Sequence, residues 1–90
     1  MNLCENIGYK EILTKLFLND VKDIKRDKVL LDRLHKKMDE ILQNPEHYPI
    51  KRYKLKGKRN AHVGSYVILF EVKGDEVKFP KFRHHDYVYE

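Results

Sequence analysis

The sequence predicts an α+β fold, a small twisted, mainly antiparallel sheet packed on one face by an N-terminal helix hairpin. Two patterns carry this expectation. Leu30, Leu31, Leu34, Met38, Ile41 and Leu42 recur at helical spacing and draw one apolar stripe. Ser65 to Val72 is rich in β-branched and aromatic residues, Lys73-Gly74-Asp75-Glu76 reverses the chain, and Val77 to Phe82 returns as a partner strand. A chain of 90 residues is enough for one core and too short for two, so residues 1–90 are read as a single domain.

The remaining elements follow in order. Tyr9 to Leu13 reads as a weak first strand with Ile12 and Leu13 as its main apolar content. Thr14 is a candidate cap for a short helix in which Phe17, Val21 and Ile24 share a face. Lys25 to Asp27 is too polar to extend that stripe, which places a tight turn there, and Asp27 then caps the second helix. Asn44-Pro45 stops it, because proline lacks the amide donor and restricts the residue before it. Lys54 to Val63 supplies a strand bent near Gly57. Within Ser65 to Val72, Tyr66, Ile68, Phe70 and Val72 face one way and Val67 and Leu69 the other. Pro80 marks an irregular place in the last strand. With helices on one side only, the opposite sheet face is expected to be open to a ligand.

Charge and composition narrow the function. The net charge of +5 is unevenly spread: Lys51 to Arg59 holds six basic residues and no acidic one, a local positive patch suited to nucleic acid. No stretch approaches the ~18 apolar residues that span a bilayer, and Met1 to Asn6 has no leader pattern, so no membrane contact and a cytoplasmic location are expected. The single cysteine, Cys4, supports neither a disulfide nor a zinc module. No cofactor is expected.

Several side chains have the chemistry for RNA. Arg52, Lys54, Lys56 and Lys58 point the same way if they share one extended segment, and with Arg59 they suit phosphate contact or, alternatively, a charged edge that prevents aggregation. His62 follows beside this run, and imidazole titrates near neutrality. In Arg83-His84-His85-Asp86 an arginine fork for phosphate adjoins two candidate acid–base groups, with Asp86 able to orient one of them. Adjacent histidines on a strand diverge, so no metal site is expected there. Val88 is expected to anchor the C-terminal segment in the core. Tyr89 has a hydroxyl that can donate a proton and a ring that can stack on a base or pack on a helix. Metal-free RNA cleavage requires a base at the 2′-hydroxyl, cations at the phosphate and an acid at the leaving oxygen.

These residues resemble a known family. Thr14-Lys15 before the helix hairpin, the basic segment Leu55 to Arg59, the string His62-Val63-Gly64-Ser65-Tyr66-Val67-Ile68-Leu69-Phe70-Glu71-Val72 and the ending Phe82 to Tyr89 are similar to RelE/ParE-superfamily type II toxins, in particular archaeal RelE-type and YafQ-like mRNA interferases. The resemblance implies a ribosome-dependent endoribonuclease that cuts mRNA in the decoding site and is silenced by a cognate RelB-like antitoxin in a hetero-oligomer. It implies catalytic roles for His62, Arg83, His85 and Tyr89, and RNA or phosphate binding by Arg52, Lys54, Lys56, Lys58, Arg59 and His84. Many relatives carry an arginine where this chain has Val67. ParE-like gyrase inhibitors belong to the same superfamily, and a non-catalytic RNA-binding module is a further alternative.

Overall fold

The computed structural model describes residues 9–50 and 57–88. Strand β1 (Lys10–Leu13) leads into helix α1 (Lys15–Lys22) and helix α2 (Lys28–Gln43); a 3-10 turn (Pro45–His47) follows, then β2 (Arg59–Val63), β3 (Tyr66–Lys73) and β4 (Glu76–His84). The sheet order is β1-β4-β3-β2. The pairs β2–β3 and β3–β4 are antiparallel and β1–β4 is parallel, so the sheet is mixed with an antiparallel majority, in line with the expected α+β architecture.

Capping fixes where both helices begin. The Thr14 hydroxyl accepts from the Phe17 amide at 3.1 Å, and an Asp27 carboxylate oxygen accepts from the Leu30 amide at 3.0 Å. Each satisfies an amide that the first turn leaves without a helical partner. Phe17 and Ile24 from the first helical segment and Leu34, Met38 and Ile41 from α2 are buried in one cluster with Ala61, Val63, Ile68, Phe70, Val77, Phe79 and Phe82 of the sheet. The helices therefore close a single face. Tyr9 donates to the Glu46 carboxylate at 2.9 Å, which ties the start of β1 to the 3-10 turn and raises the tyrosine pKa.

The opposite face differs from the expected open platform. Val67 and Leu69 lie there as their alternation requires, but both are buried with Val88. The chain turns after β4, with the Tyr87 and Val88 amides donating to the His84 carbonyl at 2.9 and 3.1 Å. This turn anchors the C-terminal segment on the sheet. The expected strand from Lys54 is also shorter: β2 starts at Arg59, and Gly57 has a φ of 82°, a left-handed conformation that glycine adopts without a Cβ penalty. Lys54 to Lys56 lie outside the described residues.

Pro80 sits at a defined irregularity. Leu69 pairs with Lys81 and Glu71 with Lys78, so Phe79 and Pro80 together oppose the single residue Phe70, the two-against-one count of a β-bulge. The bulge resets the alternation, and Phe79 and Phe82 both reach the helix-facing core although they are three residues apart. Thr14 seals this site: its hydroxyl donates to the Phe79 and Pro80 carbonyls at 3.2 and 3.1 Å while it caps α1. Replacing Thr14 with Val is expected to lower the unfolding free energy by about 1–3 kcal/mol, whereas Thr14→Ser, which keeps the hydroxyl, stays nearer to wild type. Equal urea midpoints for wild type and Thr14→Val would contradict this double role.

Candidate functional site

β1 ends at Leu13, its last residue paired with Phe79, and so leaves the remainder of that β4 edge without a neighbouring strand. Asp20 of α1 occupies part of the gap. Its carboxylate accepts from the Phe82 amide at 3.1 Å and from Arg83 Nε at 3.3 Å. Asp20 is only 7% exposed, and a buried carboxylate is tolerated when it is paired and hydrogen-bonded in this way. The ion pair engages one of the five guanidinium N–H donors and fixes the direction of the fork. Sequence periodicity gave no signal for Asp20, since its value lies in a contact across 63 residues.

A cleft of about 360 Å³ opens beside this pair, lined by Asp20, Asp23, Tyr66, Phe82, Arg83, His84 and Tyr87. Its floor is aromatic: the Tyr66 and Phe82 rings stack with centroids 5.0 Å apart, and His84 meets Tyr66 edge-on at 5.6 Å. Tyr66 also borders a second depression with Asp27, Leu30, Arg33 and Ser65. Arg33 in turn borders a third, with Lys36, Lys37, Glu40, His62 and Gly64. Tyr66 borders the first and second depressions and Arg33 the second and third, so the three lie in sequence as a track from Arg83 and His84 to His62.

The two ends of this track differ in charge. Arg83 is balanced by Asp20, and Asp23 stands nearby. At the other end Arg33, Lys36 and Lys37 outweigh Glu40 in formal charge, although Lys36 pairs with Asp32 at 3.2 Å and Lys37 with Glu40 at 3.5 Å. His62 and Arg83 do not share one concavity. They do share a row, because His62 pairs with Val67 and Val67 with Arg83, which separates their backbones by two strand spacings, about 10 Å.

The histidine pair departs from the expected divergence. β4 ends at His84 and the chain turns at once, so His85 does not continue the strand alternation. The two rings lie 4.4 Å apart between centroids. Asp86 sits between them, with Oδ2 at 3.4 Å from His84 Nδ1 and Oδ1 at 3.0 Å from His85 Nδ1. The Asp86 amide also donates to His84 Nδ1 at 3.2 Å.

The basic run is divided. Arg52, Lys54 and Lys56 lie outside the described residues, as does Tyr89. Gly57, in its left-handed conformation, directly precedes Lys58. Lys58 pairs with Glu71 at 3.7 Å. Arg59 is a brace: its guanidinium donates to the Tyr48 carbonyl at 2.6 Å and to the Glu46 carbonyl at 3.4 Å, holding the segment after α2 against β2. The sequence reading missed Arg33 and Tyr66 as lining groups, since on their own elements they look like an exposed helix position and a core-facing strand position.

The β1-β4-β3-β2 sheet with both helices on one face is a fold shared with solved toxins of type II toxin–antitoxin systems. The chain aligns with the RelBE2 toxin–antitoxin complex of Mycobacterium tuberculosis at a TM-score of 0.75 and 17% identity, covering 87% of this chain and 99% of that one. YafQ of Escherichia coli gives a TM-score of 0.72 at 19% identity, with coverage of 87% and 94%. Identities this low speak for fold alone. The chain belongs to the ParE toxin family of type II toxin–antitoxin systems, whose family model matches residues 12–89. A Methanocaldococcus jannaschii protein carrying the toxin name RelE4 is 43% identical over 68 residues, 72% of each chain.

Asp20 gives this site a direct test. Asp20→Ala strands the Phe82 amide and frees Arg83, and is expected to cost about 2–3 kcal/mol. Asp20→Asn retains an acceptor for the amide and is expected to lose less. Chemical denaturation of the two variants checks the order; an Ala variant as stable as wild type would remove Asp20 from its organising role.

Proposed function

We propose that this toxin is a ribosome-dependent, metal-independent endoribonuclease that cleaves mRNA through the ribose 2′-hydroxyl. The observation that carries the reading is the track that links Arg83 and His84 to His62 through Tyr66 and Arg33. Aromatic rings at the Arg83 end and cations toward the His62 end suit single-stranded RNA, whose bases stack and whose phosphates need charge. Imidazoles near both ends supply acid–base groups.

In the proposed reaction one histidine takes the 2′-hydroxyl proton as the 2′-oxygen forms a bond to phosphorus. The phosphorus–5′-oxygen bond breaks, and an acid delivers a proton to that oxygen. The products are a 2′,3′-cyclic phosphate and a 5′-hydroxyl end. Arg83, aimed by Asp20, stabilises the charge that grows on the phosphoryl oxygens. His62, His85 and Tyr89 are the candidates for the two proton transfers, while Arg52, Lys54, Lys56, Lys58, Arg59 and His84 are the proposed phosphate contacts. Lys58 and Arg59 then contribute chiefly by holding the strip in place, given their pairing with Glu71 and with backbone carbonyls.

A cognate antitoxin is the proposed resting partner. β1 is an edge strand, and Ile12 and Leu13 on it and Leu16 and Leu18 on α1 are exposed, an apolar surface that an amphipathic antitoxin helix would cover. The toxin's proposed place of action is the cytoplasm; no described helix is long and apolar enough to cross a membrane.

The match to a family described by ParE favours a second reading, arrest of a topoisomerase with mRNA left intact. Primer extension on programmed ribosomes, with chelator present, separates the two. The nuclease reading expects discrete cuts by wild type and a loss of at least ~10²-fold in Arg83→Ala and His85→Ala. Uncut mRNA alongside inhibited DNA supercoiling would establish the second reading in its place.

A further inference from the structure

The turn after β4 places three metal-ligand side chains together. Ligand atoms of His84, His85 and Asp86 all lie within 4.8 Å of one another. Asp86 approaches the two imidazoles at 3.4 and 3.0 Å. Ligands bound to one zinc ion at ~2.0–2.1 Å stand about 3.0–3.4 Å from each other at octahedral or tetrahedral angles. The two Asp86–imidazole separations, one through each carboxylate oxygen, are those of adjacent ligand pairs, and rotation of the exposed His85 and Asp86 side chains brings the three groups onto one ion.

Charge agrees with this geometry. His84 Nδ1 accepts the Asp86 amide, so its lone pair is already engaged, and an ion bound at that nitrogen displaces this hydrogen bond. The nearest guanidinium, Arg83, is turned to Asp20 and its charge is compensated before an ion arrives. His85 and Asp86 are 55% and 60% exposed in their side chains, which leaves the remaining coordination positions to water. Two imidazoles and a carboxylate are borderline-soft to hard donors, matched to zinc rather than to magnesium or calcium, which take all-oxygen sets.

We propose that His84, His85 and Asp86 form a binding site for one zinc ion. The ion takes the place of the contacts these side chains make with one another and with the Asp86 amide. Its consequence for activity rests on the nuclease reading: zinc takes the nitrogen lone pairs of His84 and His85, and cleavage slows because a neutral imidazole so bound has no lone pair left to accept a proton.

The test is a zinc titration of the tag-free, metal-free chain in competition with a chromophoric chelator, without RNA. Wild type is expected to take up one ion per chain. His85→Ala and Asp86→Asn are each expected to weaken uptake at least ~10-fold, while His35→Ala, which removes an exposed histidine of α2, leaves it unchanged. Zinc should raise the melting temperature of wild type and not of the two site variants, whose metal-free melting shows whether they fold. Absence of stoichiometric uptake, or uptake unaltered in both site variants, overturns the site. Zinc binding with no slowing of ribosome-dependent cleavage overturns only its link to the nuclease reading.

Discussion

At Phe79 and Pro80 two residues of β4 stand opposite the single residue Phe70, and the direction of every later side chain depends on that mismatch. Without it Phe79 and Phe82 would point to opposite faces, and one large aromatic would leave the core. With it Phe82 packs between Phe17, at 6.2 Å, and Tyr66, at 5.0 Å between ring centroids. Arg83 is then delivered beside Val67 and His84 beside Tyr66. Proline suits the bulge because it has no amide to leave unpaired, and Thr14 satisfies the two carbonyls the bulge exposes. Core packing and site geometry are thereby set by one local irregularity.

Asp20 acts on the same strand from the other side. A parallel β1 that continued past Leu13 would pair the β4 edge and cover it. Because α1 starts there instead, the Phe82 amide meets a carboxylate rather than a strand, and the carboxylate has a second oxygen to direct Arg83. The arrangement has a cost in electrostatics. Arg83 is held in place but partly neutralised, and the formal positive excess of the track lies at its far end with Arg33, Lys36 and Lys37, where Asp32 and Glu40 offset part of it.

Much of the fold was legible because its signals are local. The stripe from Leu30 to Leu42, the caps at Thr14 and Asp27, the stop at Asn44-Pro45 and the turn at Gly74 each depend on a few neighbouring residues. Even Pro80 announced its irregularity. The site was legible in residue type and less so in placement. Arg83, His84 and His62 border the track, but Arg33 and Asp20 join it through contacts between distant segments that no spacing encodes. The expected divergence of His84 and His85 assumed a strand that in fact ends at His84; a two-fold rule holds only while the strand lasts.

Val67 shows how a family position can change its physical task. It stands between His62 and Arg83 in the row across β2, β3 and β4, where the resemblance places an arginine in many relatives. Here the side chain is 1% exposed and packs with Leu69 and Val88. A guanidinium at that point would have to displace Val88 or remain buried without the compensation that Asp20 gives Arg83. Packing of Val88 on Val67 holds the turn that brings His85 and Asp86 back beside His84. With valine rather than a cation at its centre the row is apolar there, and the same side chain anchors the segment that gathers the histidines.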